Sequence, residues 1–146
     1  MSEKKIRILL IEDNPTDALI TMEGLISAEM LSTLDTASDG VEAMDFLHRR
    51  GKYANARRPD LVLLDLNMPR KGGHEVLAEM KSDEGLKNIP VVVLTTSKSR
   101  EDVTRAYGLH ANCYISKPMD FDEFTRAMRT IRKFWFSVAT LPKEGM

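Results

Sequence analysis

A chain of 146 residues, 42% hydrophobic and 29% charged, has the size and composition of one ordinary globular domain, long enough to build a core without staples. A net charge of −1 offers no broad basic surface to nucleic acid or anionic membrane, and no apolar run approaches membrane-spanning length. The single Cys113 excludes an internal disulfide, and MSEKKIRILLIED lacks the apolar segment and cleavage site of a secretory signal. The expectation is a cytoplasmic protein with neither nucleic-acid nor membrane partners.

Ile6 to Ile11 is nearly all aliphatic and predicts a first buried strand, ending in Glu12-Asp13. Asn14 as N-cap and Pro15 at the first helical position open a helix in which Leu19, Met22, Leu25 and Ile26 keep helical spacing. LSTLDTAS is a weak second strand. Asp39 and Glu42 form a D-x-x-E capping box, and Val41, Ala43, Phe46 and Leu47 give the second helix its inner face. A loop closed by Pro59 leads to LVLLDLNMP, four apolar residues running into Asp65. A short apolar run bounded by a breaker suits a strand buried on both faces.

After the RKGG loop, Val76, Leu77 and Met80 mark a third helix. Pro90 introduces VVVLTT, the strongest strand signal in the chain. Ser99 and Asp102 resemble a capping box for a short fourth helix with Val103, Ala106 and Tyr107. NCYISKP is a short fifth strand, and Asp120 with Glu123 caps the last helix. Strand and helix alternate five times, the pattern of an α/β fold: a five-stranded parallel sheet, doubly wound, (βα)5.

An open parallel sheet gathers its chemistry at the carboxyl ends of its strands. Those ends carry Glu12 and Asp13, then Asp65, then Thr95 and Thr96, then Lys117. Close like charges cost on the order of 1–4 kcal/mol per pair, which a divalent cation offsets. All-oxygen ligands with few direct carboxylates suit Mg²⁺. The fitting chemistry is phosphoryl transfer onto Asp65, since a carboxylate is a competent nucleophile. The charge on the transferred group's oxygens can be met by Mg²⁺, Lys117 and the Thr95 hydroxyl.

An acidic pair after strand one, Asp in LLDLNMP, Thr after strand four and KP after strand five resemble the receiver domain of two-component response regulators, a flavodoxin-like fold, from Lys5 to about Lys133. The resemblance implies that Asp65 is the phosphoacceptor. It implies that Glu12 and Asp13 hold Mg²⁺, that Asn67 lends it a backbone carbonyl, that Thr95 is the switch hydroxyl, that Lys117 binds phosphate and that Tyr114 is the aromatic that turns inward. A histidine kinase would be the donor. The long loop after the second helix and the terminal FW look most like single-domain regulators paired with bacterial phytochromes.

The last helix carries a stripe, Phe121, Phe124, Met128, Ile131, Trp135 and Val138, over 18 residues, about 27 Å of helix. That is longer than the short strands need covering, so the aromatic overhang, Phe134 to Phe136, is a candidate interface. Phe121, Phe124, Phe134 and Trp135 are the candidates for a homodimer through the face of the fourth and fifth helices. The opposing expectation is that the overhang folds back on the first helix. Residues 1–146 read as a single receiver domain with an extended last helix and no output domain, acting as a switch rather than an enzyme. Two rivals stand beside that reading: an interaction module that never accepts phosphate, and a haloacid-dehalogenase-type phosphatase. The second wants an acid two residues past its nucleophile, where this chain has Asn67. The cluster from His48 to Arg58 is either a solvated face or a docking surface.

Overall fold

The computed structural model describes residues 6–29, 33–66, 72–95, 108, 113–116 and 121–133. Five strands, β1 (Arg7–Ile11), β2 (Thr33–Ala37), β3 (Leu61–Leu64), β4 (Val91–Thr95) and β5 (Cys113–Ser116), form one parallel sheet in the order β2-β1-β3-β4-β5. Helices α1 (Pro15–Ser27), α2 (Gly40–Leu47), α3 (Gly73–Ser82) and the last helix (Phe121–Lys133) cover it.

The aliphatic runs make sense once both faces are covered. Leu9, Ile11, Val62, Leu64, Val91 and Val93 pack with α2 and α3 on one face. Their neighbours Ile8, Leu10, Leu61, Leu63, Val92 and Leu94 pack with α1 and the last helix on the other. Side chains alternate across a strand, so a strand buried twice must be apolar throughout. Edge strand β2 is apolar only where it touches the core, and is otherwise largely exposed.

The helix caps follow their sequences. The Asn14 side chain accepts from Asp17 N–H at 3.0 Å. Asp39 accepts from Glu42 N–H at 2.8 Å, while Glu42 Oε1 accepts from Ser38 N–H at 2.8 Å, one residue outside the expected reciprocal partner. Lys81 Nζ donates to Lys87 O at 3.2 Å and Ile89 O at 3.0 Å, tying α3 to the turn before β4, and burial lowers its pKa.

Some expectations need correction. Leu19 and Ile26 of α1 are 51% and 56% exposed. The buried side of α1 is Thr21, Gly24 and Leu25, continued by Ala28 just past its end. Gly24 sits against the Phe124 ring, so the helices meet where a side chain is missing rather than where apolar ones line up. Val41 faces outward, and Met44 takes its place in the core. The predicted fourth helix and the Asp120 cap lie outside the described residues.

Thr125 is 6% exposed, and its hydroxyl has no hydrogen-bond partner among the described residues. Valine keeps the shape and removes the stranded donor. Thr125→Val should add about 1 kcal/mol of stability and raise Tm by roughly 2–4 °C. A lower Tm in thermal unfolding would show that the hydroxyl is bonded after all.

Candidate functional site

Three carboxylates meet at the carboxyl edge of the sheet. Glu12 and Asp13 follow β1 directly, and Glu12 N–H donates to Ala37 O at 2.9 Å, continuing the β1–β2 pairing past its last residue. Asp65 follows β3, and its N–H donates to Ile11 O at 3.0 Å. That bond draws Asp65 beside the start of the Glu12-Asp13 pair. Ligand oxygens of Glu12, Asp13 and Asp65 all lie within 4.8 Å of one another.

Glu12 and Asp65 are buried at 6% and 7% exposure, and Asp13 is exposed. Hard carboxylate oxygens at this spacing, with an open side for water, fit a divalent cation of the Mg²⁺ or Mn²⁺ kind.

The other expected residues divide by position. Thr95 ends β4 beside Ser116 of β5, which puts the backbone of both at the same edge, and Lys117 follows Ser116 in sequence. Tyr114 lies in β5 opposite Val93. Asn67, Thr96, Lys117, Phe134 and Trp135 lie outside the described residues. Phe121 is 42% exposed, whereas Phe124 is 5% exposed and packed on α1. Phe124 is thus core, which removes it from the interface candidates.

Two features of the site escaped the sequence. Gly73, at the start of α3, lies against the backbone of Asp65 and Leu66, and its N–H donates to Leu66 O at 3.1 Å. A mainly apolar groove of about 400 Å³ runs from Glu12 and Asp13 between α1 and β2, past Leu19, Met22 and Leu34. The exposure of Leu19, a misfit for a core helix, lines that groove.

A doubly wound parallel sheet with an acidic triad at the ends of its first and third strands defines a class of small α/β domains built around a cation-ready edge. The family model of the response regulator receiver domain matches residues 8–129, and the chain belongs to that family. Response regulator Rcp1 of Synechocystis sp. is 45% identical over 135 residues, covering 92% of this chain and 92% of that one. The structure of the phosphorylated cyanobacterial phytochrome response regulator RcpA is 48% identical with a TM-score of 0.87, covering 96% of this chain and 100% of that one. The Mn²⁺-bound form of Rcp1 gives 43% identity and a TM-score of 0.82, covering 94% and 99%.

Proposed function

We propose that this receiver is a phosphorylation-dependent switch of the phytochrome-associated kind, acting through protein contacts rather than as an enzyme with its own turnover. The observation that carries the reading is the triad of Glu12, Asp13 and Asp65, two of them buried, within 4.8 Å. Asp65 is the phosphoacceptor. One of its oxygens attacks phosphorus, the bond from phosphorus to the donor nitrogen breaks, and the imidazole leaves with the electron pair.

Asp13 and Glu12 hold Mg²⁺, with the backbone carbonyl of Asn67. When bound there, a divalent cation would supply charge neutralisation beside Asp65. Lys117 and the Thr95 hydroxyl meet the remaining oxygens, and Tyr114 follows Thr95. A relative crystallised with Mn²⁺ and another crystallised phosphorylated support cation binding and phosphorylation as the chemistry of this site. Those relatives also favour a histidine kinase of the phytochrome type as donor. Self-association through the face of the last helix stays part of the proposal, carried on this chain by the exposed Phe121.

Incubation with Mg²⁺ and acetyl phosphate tests the reading. The protein should gain one alkali-labile phosphoryl group by intact mass, and Asp65→Asn should gain none. Equal labelling of the variant would move the acceptor elsewhere and sink the reading.

A further inference from the structure

The edge of the sheet opposite the acids carries the inverse charge. Between residues 45 and 60 stand five cations, Arg49, Arg50, Lys52, Arg57 and Arg58, against Asp45 and Asp60, in a chain of net charge −1. The segment is built rather than trailing. Tyr53 packs edge-on against Phe46 with ring centroids 5.3 Å apart. Backbone bonds Tyr53 N–H to Arg50 O at 3.0 Å and Ala56 N–H to Tyr53 O at 2.9 Å close the loop on itself.

A cavity of about 250 Å³ opens between this loop and the turn after α3, bounded by Arg49, Arg57, Arg58, Asp83, Leu86 and Ile89. Arg58 Nη1 donates to Gly85 O, which fixes one guanidinium at the rim. Asp83 Oδ1 accepts from Gly85 N–H at 2.7 Å, and its Oδ2 lies 3.8 Å from His48 Nε2, which is nearer Glu79 Oε2 at 3.4 Å. No hydrogen bond or ion pair joins Arg57 to a described residue.

Arg49 shares a strained backbone with Glu29 at the end of α1, φ +56. Arg49 follows the end of α2 with φ +57, in the left-handed region. Its N–H donates to Phe46 O at 3.1 Å, and Arg50 N–H donates to Asp45 O at 2.8 Å. This is the helix-ending pattern that favours glycine at the left-handed residue. A non-glycine residue there costs stability, so Arg49→Gly separates that backbone cost from the loss of the guanidinium.

We infer that Arg49, Arg57 and the tethered Arg58 form a carboxylate-recognition surface, whose occupant is an acidic segment of a partner protein. Guanidinium forks match carboxylates in pairs, and a rigid loop loses little entropy on binding. Asp45, Asp60 and Asp83 are interleaved with the cations. A continuous phosphate array on nucleic acid or a bilayer would meet those acids, whereas a peptide can place its carboxylates between them.

The full chain is titrated with a fluorescein-labelled decaglutamate peptide. Binding should weaken at least tenfold between 50 and 300 mM NaCl. Arg49→Glu with Arg57→Glu should weaken it at least tenfold at low salt. Arg49→Gly should raise Tm while weakening binding severalfold, a split that a purely structural arginine does not produce. Labelling of Asp65 by acetyl phosphate should be unchanged in both variants. Equal peptide binding by parent and double-Glu variant overturns the proposal, as does tighter binding to a 20-base-pair DNA duplex or to vesicles containing phosphatidylserine.

Discussion

Gly73→Ala should cost about 2 kcal/mol of stability and most of the phosphate uptake at Asp65. A Cβ at Gly73 would overlap the Asp65 carbonyl oxygen and the Leu66 Cα, both backbone atoms. Neither can rotate away as a side-chain tip would. Overpacking of this kind costs roughly 1–3 kcal/mol, set against a helix-propensity gain of at most ~1 kcal/mol; with backbone on the receiving side the upper end of the cost applies. Either α3 moves out or the end of β3 moves in, and the second displaces Asp65 from the other two acids. A shift of about 1 Å at a reacting group can cost ~10²-fold in rate.

Gly72 supplies the control. It has an extended backbone, φ −75, and a Cβ there would meet nothing nearer than Leu66 O at 3.9 Å. Gly72→Ala should therefore label at close to the parent rate, while Gly73→Ala lags by at least tenfold under conditions where both are folded. If the two variants label alike, the close approach of α3 does not position Asp65.

This contact shows where sequence reading stops. The strands were legible because burial on two faces demands unbroken aliphatic runs, as in Leu61 to Leu64. The acids were legible as strand-end residues of a parallel sheet, and Asn14 and Asp39 as helix caps. Contacts made by an absent side chain are silent in a hydrophobic pattern. Gly24 accepts the Phe124 ring, so Phe124 reads as an interface candidate on the stripe yet lies in the core. The same slot turns α1 so that Leu19 and Ile26 face outward. Gly73 reads as a loop breaker, although its contact is with a residue eight positions earlier. The reach from Arg58 to Gly85 spans 27 residues, a distance no local pattern carries.

Mg²⁺ should stabilise the phosphate-free protein, and Asp13→Ala should remove most of that effect. Glu12 and Asp65 are almost wholly withdrawn from water, so their mutual repulsion is poorly screened. Asp13 is exposed and completes the triad from the solvent side. Without a cation the folded state keeps three negative groups together, a cost on the order of 1–4 kcal/mol per close pair before screening, and less for pairs that include exposed Asp13. A cation that binds only the folded arrangement offsets that cost and adds stability by mass action, about 2.7 kcal/mol at a concentration of 100 Kd. At roughly 2–4 °C per kcal/mol, Tm should rise by about 5–10 °C on saturation. In Asp13→Ala the metal-free Tm should hold or rise, because one repulsive partner is gone, while the Mg²⁺-induced rise should shrink to a small fraction. Thermal unfolding of parent and variant, each with Mg²⁺ and with a chelator, separates the two effects. A full Mg²⁺ shift in the variant would place the cation away from this triad.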